Sequence, residues 1–325
     1  MMKEVRFMQK VIVQSISSGK ARTNTLWKRI LKNRWLYLLA LPGILYFIMF
    51  KYVPMFGLTM AFQKYNPALG FARSPWVGFQ HFKDFFNNPD FTRLFYNTFR
   101  IAINNLLFFF PLPIILALIL NSIQSVKYKR FVQTITYMPH FLSWVIIASI
   151  CYVMMTTENG IINDLIKMLG GTEVSFLTDP KWFRPVILIQ SIWRETGWGT
   201  IIFLAALSNV DPQLYDAAHV DGANAWQRLI KITLPAISGT IITLLILRMG
   251  HFLDTGFSQI FLMLNSLNRD VGEVFDTYVY RLALGREGGK FSYTTAVGLF
   301  KSVVGLVLVL GSDRLAKKFG EEGVL

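Results

Sequence analysis

Apolar residues in this chain fall in long runs, separated by connections marked with polar residues, glycine and proline. A helix needs about 20 predominantly apolar residues to cross a bilayer. Six runs reach that length: roughly 36–57, 97–120, 132–155, 185–207, 236–262 and 293–312. The pattern predicts an all-α integral membrane protein with six transmembrane helices. Prolines interrupt several runs, Pro42 and Pro54 in the first, Pro111 and Pro113 in the second. Such helices are expected to kink, and neighbouring protein must then satisfy the freed carbonyls. Between the first two runs, SPWVGFQHFKDFF (74–86) spaces aromatics on a short amphipathic pattern. It suits an interfacial helix with an aromatic belt, or a docking surface for an external partner.

Composition sharpens this picture. Of the 325 residues, 53% are hydrophobic and 16% charged, against about 25% charged in soluble domains. That is too much apolar surface for one soluble core. The net charge of +14 would suit either nucleic acid or an anionic membrane surface. Nine Lys/Arg lie in the first 35 residues, against the single acid Glu4. A cytoplasmic arm beside anionic lipid accounts for that asymmetry, so membrane lipid is the expected partner and nucleic acid is not. With the N-terminus inside, 17 Lys/Arg fall on the inner side. Both termini and the 208–235 connection are then cytoplasmic. The single cysteine, Cys151, excludes an internal disulfide and a multi-cysteine metal site. The first run begins late for a secretory signal and is long, which reads as a retained anchor.

The 208–235 connection contains YDAAHVDGANAWQRLIKITLP, small, polar and punctuated. Asp211 before Pro212 pairs a capping side chain with proline at the first helical position. PQLYDAAHVD then reads as a short helix, and Gly222 stands where a positive φ can end it. A second short helix, NAWQRLIKI, runs on to Pro235, which ends it or starts the fifth span. The result is a helix–turn–helix elbow. Ala217 and Ala218 leave a bare surface, Tyr215, Val220 and Trp226 add apolar area, and Asp216 and Asp221 add charge. Helices this short do not hold themselves in water and need a groove, here or on another protein.

Asp216-Ala217-Ala218, three residues, Gly222, nine residues, then Ile232-Thr233-Leu234-Pro235 resembles the EAA coupling motif of permeases from binding-protein-dependent ABC importers. Aspartate stands for the motif's glutamate, keeping the carboxylate one methylene shorter. The stretches YLLALPGILYFIMFKYVPMFGL, YMPHFLSWV, IWRETGWGTIIFLAAL, DTYVYR and TAVGLFKSVVG resemble the polysaccharide and oligosaccharide branch, including permeases for alginate and rhamnogalacturonan oligosaccharides. The resemblance covers roughly residues 30–325. It implies a type I (MetI-like) permease fold with both termini cytoplasmic. The expected domains are a basic arm (1–35), a first helix (36–57), a permease domain (97–312) with a coupling helix at 212–232, and a cytoplasmic tail (313–325). It also implies a second homologous permease subunit, two ATPase subunits and an extracytoplasmic solute-binding protein. Tyr215, Asp216, Ala217, Ala218, Asp221, Gly222, Ala223, Ile232, Leu234 and Pro235 would contact the ATPase.

The chain carries no phosphate loop of its own. GREGGKFS (285–292) would need glycine where Leu284 stands and Ser or Thr where Phe291 stands. No cofactor is expected, ATP being bound by a partner. No zinc-ligand spacing or nucleophile elbow is present, and His81, His140, His219 and His251 read as local hydrogen-bonding residues. The resemblance implies a transport subunit and not an enzyme.

Ionisable residues deep in a span face the bundle interior or water. Arg194 and Glu195 fall in the fourth run, Arg248 and Asp254 in the fifth, Lys301 in the sixth. They either form internal ion pairs or line a path for an acidic, uronate-bearing cargo, which arginine can grip bidentately. Arg194 and Glu195 are successive, about 100° apart around a helix, and are expected to need different partners. Trp144, Trp193 and Trp198 either pack or offer flat platforms to sugar rings. Gly197 and Gly199 serve close packing or a hinge. The expected function is ATP-driven oligosaccharide import. The alternative is an ion-coupled secondary transporter of sugars, for which Glu195 and Asp254 are the available carboxylates.

Overall fold

The computed structural model describes residues 31–285, 288–318 and 323. Most of the basic arm and most of the tail after Lys318 therefore lie outside the described residues. The chain divides into two units, Met1–Thr59 and Met60–Leu325. The first is described from Leu31 and consists mainly of helix α1, which runs Arg34–Phe62 into the start of the second.

The second unit is helical throughout, with one isolated antiparallel bridge, Gln63–Trp76, among its described residues. After a single helical turn at Gly70–Arg73, its helices are α2 (Gln80–Phe86), α3 (Asp90–Ser122), α4 (Val126–Phe141), α5 (Trp144–Met155), α6 (Ile161–Met168) and α7 (Pro180–Ser208). After these come α8 (Pro212–Val220), α9 (Ala225–Ala236), α10 (Ser238–Gly250), α11 (Phe257–Met263), α12 (Arg269–Gly272), α13 (Phe275–Ala283) and α14 (Phe291–Lys318).

Three helices are long and apolar enough to cross a membrane singly: α1, α3 and α14. The pairs α4–α5 and α9–α10 pass the same test together, but are bent by 98° and 57°. At 29 residues α7 is long enough; its middle is polar, carrying Gln190, Arg194, Glu195 and Thr196.

Two predicted spans need correction. The run 132–155 is not one helix. Pro139 sits in a tight turn closing α4, and Ser143 caps α5 by accepting from the Ile146 amide at 3.3 Å. The run 236–262 is likewise divided. α10 stops at Gly250, and Gly256, at φ +92°, restarts the chain as α11. Hydrophobicity alone does not register such breaks, because the breaking residues are few and the apolar count across them stays high.

The prolines act through a common device. Wide π turns at Ile48–Tyr52, Asn105–Phe109 and Leu229–Thr233 each end two residues before a proline, Pro54, Pro111 and Pro235. A helical proline clashes with the carbonyl four residues back. Here those residues are Phe50, Leu107 and Lys231, all inside the wide turns, where the ladder is loosened. Helices α1, α3 and α9 therefore continue through these prolines.

Helix α7 is the axis of the second unit, packed on α3, α4 and α12. Its first half joins the core of Ile101, Ala148, Phe183, Val186, Ile187, Ile260 and Met263, and its last turns join Ala117, Phe203, Leu207 and Ile237. Gly197 settles the choice between packing and hinge. A Cβ there would lie 2.0 Å from the Thr136 carbonyl, so α7 and α4 touch backbone to backbone. At Gly199 a Cβ would lie 2.9 Å from the Pro113 ring, a looser approach than at Gly197. A further core of Phe85, Leu94, Phe275, Tyr278, Leu282 and Val297 joins α2, α3, α13 and α14. Next to it, Glu273, 1% exposed, is held by Arg93 at 3.1 Å and Arg281 at 2.8 Å. The segment 74–86 forms α2 only from Gln80, with Phe79 and Phe82 packed on Phe62.

Candidate functional site

The elbow between α7 and α10 is built almost wholly by local rules. Asp211 accepts from the Gln213 amide at 2.9 Å and starts α8 at Pro212. α8 ends in a Schellman turn: the Ala223 amide donates to the Ala218 carbonyl at 2.9 Å and the Gly222 amide to the His219 carbonyl at 3.1 Å. Gly222 supplies the left-handed residue, at φ +74°. α9 begins with a capping box, Asn224 Oδ1 accepting from the Gln227 amide at 2.8 Å and Gln227 Oε1 from the Asn224 amide at 2.9 Å.

One contact between the arms is not local. The Tyr215 hydroxyl and Thr233 Oγ1 share a hydrogen bond of 3.0 Å, and Thr233 Oγ1 also donates to the Arg228 carbonyl. Asp216, Ala217, Asp221 and Pro235 are exposed, while Ala218, Ala223, Ile232 and Leu234 are half-buried. Ile232 and Thr233 lie in the wide turn, and α9 runs past Pro235 to Ala236, so the proline neither ends that helix nor begins the next. The elbow's apolar tips are bare, Val220 being 86% exposed and Trp226 67%. Trp226, Tyr215, Leu229 and Thr233 also face the end of α3, at Leu118–Ser122, across a groove of ≈ 640 Å³.

The second arrangement is a cavity of ≈ 300 Å³ between α3, α5, α7, α10 and the segment after α10. Five of the seven candidate path residues line it: Trp144, Glu195, Trp198, Arg248 and Asp254. Arg194 does not line it, and Trp193, 46% exposed, lies away from it.

The expectation that Arg194 and Glu195 take separate partners is overturned. They pair with each other, because both side chains are long enough to curl around the helix between them. Arg194 Nε also donates to the Leu142 carbonyl at 3.1 Å, in the α4–α5 break, and its guanidinium lies 4.6 Å from the Trp144 ring centroid. Glu195 takes a second bond from His140 Nδ1 at 2.8 Å. The His140 ring stacks on Trp198 at 4.4 Å and 3°. This cluster ties α7 to the α4–α5 bend. Asp254 is held by Lys301 at 2.8 Å and His251 at 3.1 Å, and Lys301 also pairs with Asp276. Arg248 lies over the Phe109 ring at 5.7 Å.

Sequence reading missed several participants. The Asn224–Gln227 box was legible as a spacing. His140, read as a local hydrogen-bonding residue, instead reaches Glu195 on another helix; Thr233 was named only as a motif position, and Phe109 and Thr255 carried no signal in the sequence.

Comparison with known proteins bears on both arrangements. The family described as binding-protein-dependent transport system inner membrane component matches residues 109–321. The chain is 57% identical over 299 residues to Protein LplB of Bacillus subtilis (strain 168), across 92% of this chain and 93% of LplB. It is 50% identical over 312 residues to the polygalacturonan/rhamnogalacturonan transport system permease protein YteP of the same organism, across 96% and 97%. A chain in the crystal structure of a bacterial alginate ABC transporter, in complex with an alginate pentasaccharide-bound periplasmic protein, superposes with a TM-score of 0.84. That chain is 40% identical, with 92% of this chain and 99% of that one covered.

Proposed function

We infer the function from one premise: the chain belongs to the family of binding-protein-dependent transport system inner membrane components. It is a membrane-embedded permease subunit of an ABC importer. It is not an enzyme, since ATP is hydrolysed by a separate subunit. It works with a second permease, with ATPase subunits and with an extracytoplasmic binding protein. Its cargo is an oligosaccharide, and acidic sugars are the class suggested by what YteP and the alginate transporter carry.

In this reading α1, α3, α4–α5, α7, α9–α10 and α14 are the six spans, and the N-terminus and the elbow face the cytoplasm. The elbow is the coupling element. The observation that carries this is a doubly capped turn whose apolar tips, Val220 and Trp226, lie bare. Closure of the ATPase pair presses on α8. The Tyr215–Thr233 bond and the core around Ile237 pass the tilt to α10 and to the end of α7. The cavity between these helices then changes the side it faces. The ion-coupled alternative finds little support: Glu195 is engaged by Arg194 and His140, and Asp254 by Lys301 and His251. Neither carboxylate stands ready to exchange an ion.

Cysteines placed at Asp216 and Val220 test the coupling role in the assembled importer. Both are expected to crosslink to the ATPase, with a yield that changes on ATP binding. Absence of crosslinks from both positions, in a complex that hydrolyses ATP, would refute it.

A further inference from the structure

Of the three cations around the cavity, Arg194, Lys301 and Arg248, only Arg248 is without an ion pair among the described residues. Arg194 is taken up by Glu195 and the Leu142 carbonyl, and Glu195 is shared with His140. Asp254 is held by Lys301 and His251, and Lys301 also meets Asp276. Arg248 is half-buried on α10 and lines the same cavity. Its guanidinium has the Phe109 ring face beneath it, and among the described residues it makes no ion pair, Glu195 acting on it only from a distance while held by Arg194 and His140. A ring face is a weak replacement for lost hydration, and a half-buried charge is costly without a hydrogen-bonded partner.

A second group in the same wall is also unsatisfied. Thr255 is 3% exposed, and its hydroxyl has no hydrogen-bond partner. Buried polar atoms left in this state are uncommon and call for an explanation. Thr255 lines the cavity with Arg248, beside the indoles of Trp144 and Trp198. Trp198 is fixed in place by its stack on His140. The cavity thus presents a fork of donors for a carboxylate and flat apolar faces for a ring, with the unpaired Thr255 hydroxyl covered in its wall.

We propose that Arg248 is the specificity-determining residue for charge: its guanidinium receives the carboxylate of a uronate unit, and the covered Thr255 hydroxyl turns out of the wall to bond a hydroxyl of the same sugar. Arg194 and Lys301 are positioning residues that hold Glu195 and Asp254 in ion pairs, which leaves Arg248 as the guanidinium open to the cargo. At ≈ 300 Å³, the lower end of ligand cavities, the site holds a short segment of a chain. The proposal rests on the oligosaccharide-importer reading above.

The test is uptake into proteoliposomes holding the whole importer, supplied with one and the same binding protein. The probes are trigalacturonate and uncharged galactotriose. The wild type is expected to favour the acid. Arg248→Gln is expected to reduce that preference by about tenfold or more, the scale of one charged hydrogen-bonding contact. Arg248→Lys keeps the charge, loses the planar fork and is expected to give an intermediate ratio even if Arg248→Gln fails to assemble. Thr255→Val is expected to slow both probes. Arg194→Gln leaves Glu195 in the wall with His140 alone and is expected to lower uptake of both, with a smaller shift in their ratio than Arg248→Gln gives. An importer that carries these sugars with the same acid preference in the Arg248→Lys and Arg248→Gln variants overturns the proposal and leaves the importer reading standing. A shift in ratio from Arg194→Gln as large as that from Arg248→Gln overturns the assignment to Arg248. A wild type that imports neither sugar overturns the oligosaccharide reading, and the proposal with it.

Discussion

Gly222 holds φ +74°, and a Cβ built on it would meet nothing within 4 Å. Any L-residue there bears the left-handed strain, about 1–2 kcal/mol, but does not collide with this chain. Gly222→Ala and Gly222→Leu are therefore expected to lower the chain's stability alike, read as similar shifts in melting temperature. If a foreign groove receives the elbow, Gly222→Leu is expected to lose far more uptake per ATP hydrolysed than Gly222→Ala. Equal coupling in the two variants would leave the turn without a docking role. Tyr215 offers a finer probe. Tyr215→Phe removes one part-buried hydrogen bond to Thr233, worth about 1 kcal/mol. Faster hydrogen exchange in α8, with α10 unchanged, is the expected signature of arms that no longer move together.

Among the elements, α7 and the α4–α5 bend are the least tolerant. Gly197→Val sets a side chain where only 2.0 Å separates the ideal Cβ from the Thr136 carbonyl. It is expected to prevent assembly, seen as loss of the intact complex on size-exclusion chromatography. Ser143→Ala removes the cap of α5 at a cost of about 1 kcal/mol, with a small drop in melting temperature. The bend itself was partly legible, because Pro139 closes one helix and Ser143 is a good cap for the next. The hydrophobic pattern runs on through it because Phe141, Leu142 and Trp144 keep the run apolar. The division at 251–256 was legible only in Gly256, whose positive φ becomes meaningful once α11 is seen to pack on α5. The elbow, by contrast, was readable nearly residue by residue. Its caps and its Schellman turn depend on neighbours within six positions.

For the molecule as a whole, the proposed orientation has a direct measurement. In a Cys151→Ser background, an impermeant thiol reagent should label a cysteine at Met168 or Leu284 from outside intact cells. One at Val220 should react only after the membrane is opened. The reverse pattern would invert the assignment of both termini. The hydrophobic runs determined by themselves that this is a helical membrane protein, because solvent preference is a property of composition summed over about 20 residues. The spacing of Asp216, Gly222 and Pro235 determined the elbow, because capping and turn chemistry are local. Tertiary structure alone decided the charges. Which of Arg194, Arg248 and Lys301 is neutralised depends on carboxylates brought from other helices, or, for Glu195, on a side chain curling back along its own. No periodicity in the chain encodes a distance between α7, α10 and α14. Packing set those distances, and with them left Arg248 facing a cavity, and the Thr255 hydroxyl covered in its wall, without hydrogen-bond partners.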